Sequence, residues 1–139
     1  MNSAEPLSKS KETSVRKNRL IDFYHVDSME TINYEPIQRY LPGSVMIAVP
    51  SFEWFDFDRA ISYFQKEHLK FQTSPSINPD CVITTQDHEY IEIPEYKKSL
   101  TMRLMYSFAE KDFAHSRKAS EPFDAVLVPG PYSKDIISK

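Results

Sequence analysis

The stretch of sequence that decides the fold runs from Ser44 to Phe71. It opens with the apolar run Ser44-Val-Met-Ile-Ala-Val-Pro50 and continues into a segment with a strong helical pattern. The apolar run does not alternate with polar residues, which is typical of a strand buried on both faces. A period of about 3.6 residues relates the apolar side chains that follow, namely Phe57, Ala60, Ile61, Phe64 and Phe71. We therefore expect a buried strand that leads into a helix, with Asp56 as the N-cap.

Shorter segments on either side predict the rest of the sheet. The pattern predicts strands over 20–26, 81–85, 89–93, 100–108 and 123–128, and a helical turn over 34–41. Gln86-Asp87-His88 is short and polar, which indicates a hairpin between two of these strands. Segment 100–108 alternates as a strand does, although its Leu, Met and Arg residues also favour a helix. The order predicts an α+β domain with a mixed or mainly antiparallel sheet of about five strands and one principal helix.

Composition indicates a small globular protein. Of the 139 residues, 40% are hydrophobic and 13% aromatic, which is enough for the core of one domain. No stretch reaches the roughly 20 apolar residues that cross a bilayer, and the N-terminus lacks the apolar segment of a secretory signal. The single cysteine, Cys81, can form neither an internal disulfide nor a cysteine-rich zinc site. These features predict a soluble, intracellular protein without a membrane partner.

The N-terminal segment 1–17 is polar and basic, although the whole chain has a formal net charge of −3. It has almost no large apolar side chains, so we expect a disordered arm before a single compact domain over 18–139. The basic side chains that would contact a partner are Lys9, Lys11, Arg16 and Lys17. The arm either becomes ordered on a protein or nucleic-acid partner or remains an inert tail.

Aromatic residues and scarce glycine lead to the first functional hypothesis. Phe52 and Trp54 either cover the start of the predicted helix or form an exposed patch that binds a partner. Gly43 and Gly130 are the only glycines, so no glycine-rich phosphate loop can be drawn, and P-loop enzymes and Rossmann dehydrogenases are excluded. The chain is therefore interpreted as a non-catalytic interaction or assembly subunit with no cofactor.

A second hypothesis rests on acidic residues that follow the predicted helix. Pro79-Asp80 and Glu95-Tyr96-Lys97 have the form of two short motifs, and through them the chain resembles the PD-(D/E)xK nuclease superfamily. The resemblance implies that Asp80 and Glu95, from adjacent strands, hold Mg²⁺ or Mn²⁺ while Lys97 assists catalysis. In the alternative interpretation these residues are surface charges at strand ends.

A different alignment of the same region is similar to the cap-snatching endonuclease domains of segmented negative-strand RNA viruses. It places Glu92, within Tyr90-Ile-Glu-Ile93, as the second metal ligand after Asp80. It implies that Glu67 supplies a further acid, and His25 is the histidine nearest by order. The two hypotheses differ in whether the carboxylates of Asp80 and Glu92 or Glu95 converge in a cleft.

Overall fold

The structure, a computed structural model, describes residues 19–26, 30–50, 55–105 and 118–127. Its strands form one sheet in which every neighbouring pair is parallel. In chain order they are β1 (Ile21–Tyr24), β2 (Ser44–Ile47), β3 (Phe71–Gln72), β4 (Cys81–Thr84), β5 (Leu100–Leu104) and β6 (Ala125–Leu127). Their spatial order is β3-β2-β1-β4-β5-β6. Within these described residues the chain is thus an α/β protein with a six-stranded parallel sheet.

The prediction of an α+β fold with a mixed or mainly antiparallel sheet of about five strands is wrong. The expected hairpin after β4 does not form, because His88–Ile91 is a 3₁₀ helix and Pro94–Tyr96 is a second one. The chain uses both turns to return to the start of β5, where Cys81 pairs with Leu100 in parallel register. Segment 89–93 looks like a strand in the sequence because the buried turn also needs apolar side chains.

Two α-helices flank β2, and the first overlaps the helical turn predicted over 34–41. They are α1 (Thr31–Gln38) and α2 (Phe57–Lys66). The predicted start of α2 is confirmed, since the Asp56 carboxylate accepts the Arg59 N–H at 3.2 Å. The predicted end is wrong, because His68 adopts a left-handed backbone with φ of 55° and Phe71 belongs to β3.

The two faces of the sheet are covered differently. Side chains of α1 and α2 pack on one face in a cluster that includes Phe23, Tyr34, Met46, Phe64 and Ile83. On the other face, apolar side chains of the two 3₁₀ helices and Phe123 cover the sheet in a second cluster, which includes Tyr24, Val45, Ile47, Val82, Ile91 and Tyr96. Strand β2 contributes to both clusters and all four of its residues are buried, which confirms the prediction from its unbroken apolar run.

Gly43 allows the starts of β1 and β2 to meet. Its carbonyl oxygen accepts the Ile21 N–H at 3.0 Å. A Cβ atom at this position would lie 1.7 Å from the carbonyl oxygen of Arg19, far inside van der Waals contact. A residue without a side chain is therefore required where the chain enters β2.

Asp22 is a fully buried carboxylate in the middle of β1. Because Phe23 packs on the helical face, alternation directs Asp22 to the opposite face. There its two oxygens accept the Ser76 hydroxyl at 2.7 Å, the Ser76 N–H at 2.9 Å and the Tyr96 hydroxyl at 2.7 Å. Asp22 therefore ties β1 to the segment between β3 and β4 and to the second 3₁₀ helix.

Burial raises the pKa of Asp22, although the hydrogen bonds from Ser76 and Tyr96 lower it. A carboxyl whose pKa is higher in the folded chain than its ordinary value of 3.8 stabilises the fold below that value. This stabilisation is lost as the pH rises through the folded-state pKa. We expect the unfolding free energy of wild type, relative to that of Asp22→Asn, to decrease as the pH rises above about 4, measured by urea denaturation.

The substitution Asp87→Asn is the matched control, because Asp87 is exposed and its side chain caps no helix. Its unfolding free energy should follow that of wild type across the same pH range. If the difference between wild type and Asp22→Asn did not change with pH, Asp22 would ionise as readily in the fold as in the unfolded chain.

Candidate functional site

The C-terminal ends of β1 and β4 form the point where the sheet reverses its winding. From β1 the chain continues to β2 on one side, whereas from β4 it continues to β5 on the other. This strand order is that of dinucleotide-binding doubly wound sheets, in which ligands bind in the crevice at this switch point. The order occurs here although the glycine-rich phosphate loop of those proteins is absent from the sequence.

Glu30, which immediately precedes α1, lies at this switch point and is only 3% exposed. One carboxylate oxygen accepts the Val26 N–H at 2.7 Å, and the other accepts the Thr85 hydroxyl at 2.8 Å. The second oxygen also contacts the hydroxyl of Tyr34. The N-terminus of a helix at this position commonly binds a ligand phosphate. Here a carboxylate of the chain itself satisfies the polar groups that follow β1 and β4.

Tyr34 connects Glu30 to the sheet. Its hydroxyl accepts the Thr85 N–H at 3.0 Å and lies 2.8 Å from the carbonyl oxygen of Tyr24. Burial and the Glu30 carboxylate both raise the pKa of Tyr34, so the phenol is neutral and can donate its proton. We define the switch-point network as Glu30, Tyr34 and Thr85.

His25 follows β1 directly and is also buried. Its Nδ1 atom faces two acceptors, the carbonyl oxygens of Phe23 at 3.2 Å and Ile47 at 3.1 Å, so we assign the proton to Nδ1. The Nε2 atom then accepts from the Thr31 hydroxyl at 3.0 Å. Burial lowers the pKa of His25 to about 4, so the ring is neutral near pH 7 and fixes the start of α1.

The residues predicted to bind a metal lie in different settings. Asp80 is exposed at the start of β4, where its carboxylate accepts the Leu20 N–H at 2.8 Å. Glu92 follows the first 3₁₀ helix and pairs with His88 at 2.8 Å. Glu95 and Lys97 lie in and just after the second 3₁₀ helix, so neither is on a strand adjacent to β4. Within the described ranges, no group of three or more His, Cys, Asp or Glu residues could hold a metal ion.

The residues predicted to bind a partner lie outside the described residues. They comprise the arm over 1–17, with Lys9, Lys11, Arg16 and Lys17, and the aromatic pair Phe52 and Trp54. Their roles remain predictions. Cys81 is partly buried at the start of β4, and burial raises the pKa of its thiol to about 11, which makes it a poor nucleophile near pH 7.

The outer side of α1 carries a stripe of exposed side chains. Ile32 is 71% exposed and Tyr40, in the turn after the helix, is 85% exposed, with the exposed Pro36 midway between them. We call these three residues the α1 stripe. Their spacing of four residues places them on one side of a helix. The sequence contains this spacing, but the predicted turn over 34–41 begins too late to include Ile32.

Tyr63 of α2 and Arg39 at the end of α1 lie near the stripe and are fixed by one carboxylate. The Tyr63 hydroxyl donates to one Glu35 oxygen at 2.6 Å, and the Arg39 guanidinium pairs with the other at 2.5 Å. These hydrogen bonds lower the pKa of Glu35. The outer surfaces of α1 and α2 are therefore joined by a polar link as well as by the core beneath them.

Two clefts lie away from the switch point. One of about 480 Å³ is lined in part by His88, Glu92, Lys97, Thr101 and Asp124. Its carboxylates are engaged internally, Glu92 by His88 and Asp124 by Thr101, whose N–H donates at 2.8 Å. The second cleft, of about 370 Å³, lies where α1 ends and β3 begins. We call it the basic cleft, and its lining includes Arg39, His68 and Lys70.

The substitution Tyr34→Phe tests the switch-point network. It removes the hydroxyl and leaves the buried Thr85 N–H without its acceptor, so we expect a loss of about 2 kcal/mol in unfolding free energy. The matched control is Tyr63→Phe, which removes a hydrogen bond of 2.6 Å at the surface and should cost less than about 0.5 kcal/mol. Urea denaturation measures both, and equal losses would contradict a special role for the network.

A thermal melt with Mn²⁺ tests the nuclease hypothesis. A ligand that binds only the folded state raises Tm. We expect Mn²⁺ to leave Tm unchanged, because Asp80 is bonded to Leu20 at the start of β4 while Glu92 is bonded to His88 beyond its end. A rise in wild type that Asp80→Ala abolishes and Asp87→Ala preserves would contradict this expectation.

Comparison with known proteins assigns no family to the chain. No protein-family model matches it, and neither a curated protein nor a solved structure matches at a significant level. In the part of the chain that the structure describes, no helix combines the length and apolar character needed to cross a membrane. What the protein does must therefore be inferred from its own fold and surface.

Proposed function

We propose that this chain is a non-catalytic interaction subunit that binds a protein partner through the outer surface of α1 and α2. The observation that carries the proposal is the α1 stripe, in which the large side chains of Ile32 and Tyr40 are exposed about two helical turns apart, with the exposed Pro36 between them. Single exposed apolar residues are ordinary on protein surfaces, but a row of them on one helix is typical of a surface that another protein covers.

The residue types in this surface suit protein recognition. Tyrosine and arginine are enriched among the residues that dominate binding energy at interfaces, and the surface contains Tyr40, Tyr63 and Arg39. Full burial of Ile32 under a partner would contribute about 2 kcal/mol from apolar area alone. The hydrogen bonds from Tyr63 and Arg39 to Glu35 already restrict these side chains, which reduces the entropy lost on binding.

The switch-point network also supports an interaction role. In doubly wound sheets a cofactor normally contacts the groups that follow the first and fourth strands. Here the Val26 N–H and the Thr85 hydroxyl and N–H already have partners in Glu30 and Tyr34. These donors are not directed at a ligand, which favours a domain that acts through its outer surface.

The arm and the aromatic pair remain separate predictions for the same function. The arm over 1–17 could add basic contacts to a protein or nucleic acid, and Phe52 and Trp54 could add an aromatic patch. Deletion of 1–17 and the double substitution Phe52→Ala with Trp54→Ala test these contacts independently of the α1 stripe. If neither change weakened partner binding, the contact would not involve these segments.

Ile77 provides a matched control for the α1 stripe. Its side chain is 79% exposed, close to the 71% of Ile32, but it lies in the segment between β3 and β4. Immobilised wild type, Ile32→Ser, Tyr40→Ala and Ile77→Ser would be compared for retention of proteins from an extract of the source cells, quantified by mass spectrometry. The dissociation constant of each retained protein would then be measured with purified components.

We expect a partner that binds wild type and Ile77→Ser with equal affinity and binds Ile32→Ser and Tyr40→Ala at least about tenfold more weakly, or about 1.4 kcal/mol. A partner that Ile77→Ser loses to the same extent would show general surface adhesion. If every retained protein bound all four variants equally, the α1 stripe would not be the interface.

A further inference from the structure

We infer that the basic cleft receives an acidic segment of the partner protein, with carboxylate side chains as the recognised groups. This inference rests on the proposed function and names the chemistry of the partner. The cleft adjoins the α1 stripe, because Arg39 and Leu41, on either side of the exposed Tyr40, both line it. A segment that covered Tyr40 would therefore reach the cleft.

The charge of the cleft is opposite to that of the chain. The lining contains two cationic side chains, Arg39 and Lys70, together with His68, and none of the lining residues is acidic. The whole chain has a formal net charge of −3. Arg39 is paired with Glu35 and also lies within electrostatic reach of Glu67, so Lys70 is the cation that makes the cleft complementary to a carboxylate-rich ligand.

Helix capping does not account for these basic side chains. Cations are often placed at helix C-termini to satisfy free carbonyl groups. Here backbone N–H groups satisfy the last carbonyls of α1, at Ile37 and Gln38, each at 3.0 Å. In the last turn of α2, the carbonyls of Phe64 and Gln65 are likewise satisfied by backbone N–H groups, at 2.9 and 3.3 Å.

The basic groups are also available for a ligand. The side chains of His68 and Lys70 form no hydrogen bond or ion pair within the described residues. Arg39 uses one terminal nitrogen for Glu35, and a guanidinium has five N–H donors in all. A carboxylate in the cleft would therefore meet donors that the fold itself does not use.

His68 occupies a position where glycine is the usual residue. Its φ of 55° is in the left-handed region, just after the end of α2. For a residue with a side chain this conformation costs on the order of 1 kcal/mol, which glycine avoids. The substitution His68→Gly therefore removes the imidazole from the cleft without an expected loss of fold stability, and it is a clean probe of binding.

The apolar part of the lining indicates what accompanies the carboxylates. Leu41, Pro42 and Leu69 line the cleft beside its basic groups. A segment that alternates acidic and apolar side chains would match both parts of this surface. Each exposed charge pair contributes modestly, and added salt screens it, so binding should weaken as ionic strength rises.

Fluorescence anisotropy with two labelled peptides tests the inference. The first alternates Glu and Leu, and the second replaces every Glu by Gln. The proteins are wild type, His68→Gly, Lys70→Glu and, as matched control, Lys97→Glu, because Lys97 is an exposed lysine that lines the other cleft. Inorganic phosphate is added as a competitor to distinguish a free anion from a peptide ligand.

We expect the Glu peptide to bind wild type and Lys97→Glu equally, and to bind Lys70→Glu at least about tenfold more weakly, with a smaller loss for His68→Gly. The Gln peptide should bind at least about tenfold more weakly than the Glu peptide to wild type. Equal weakening by Lys97→Glu, equal affinity for the two peptides, or displacement of the Glu peptide by phosphate at comparable concentration would overturn the inference.

The partner assay separates this inference from the proposed function. If the partner found with the α1 stripe variants bound Lys70→Glu as tightly as wild type, the acidic segment would be wrong while the interface on α1 stood. If the Glu peptide behaved as expected but the α1 stripe variants retained every partner, the cleft would be a peptide site and the proposed interface would be wrong.

Discussion

The buried carboxylate of Asp22 is the contact on which the parallel sheet depends. After β3 the chain must pass β2 and β1 to start β4, and segment 73–80 makes this passage without a helix. Parallel crossovers commonly use about a dozen residues or more, most often with a helix whose backbone is bonded internally. A short crossover lacks those bonds, so its buried N–H groups need acceptors from elsewhere. Asp22 supplies one to Ser76 and binds Tyr96 of the next connection with the same carboxylate.

The sequence predicts features that depend on neighbouring residues. The apolar run from Ser44 identifies β2, and Asp56 identifies the start of α2, because burial on both faces and N-capping are local signals. The direction of β5 was not predictable in this way. Segment 89–93 needs similar apolar residues whether it is the second strand of a hairpin or part of two 3₁₀ helices that lead to β5. Only the pairing of strands across the sheet distinguishes these two structures.

The candidate sites depend even more on distant contacts. Glu30 meets Thr85 across 55 residues of sequence, and Asp22 meets Tyr96 across 74. The available signal was Asp22 itself, because it is an acidic residue inside an apolar strand. Alternation alone would instead assign its side chain to a solvent-facing side of the sheet. The short motifs around Asp80 and Glu95 consist of common residue types, and Glu95 lies in a 3₁₀ helix rather than on a strand adjacent to β4.

The Glu30 carboxylate at the switch point has a consequence for how the stability of the folded domain is regulated. Many domains with this strand order gain stability from a bound cofactor, so their folded fraction varies with the cofactor concentration. In this chain Glu30 is covalently part of the fold, and its effective concentration at Val26 and Thr85 is constant. The stability that Glu30 contributes at this edge of the sheet therefore does not vary with the concentration of any ligand.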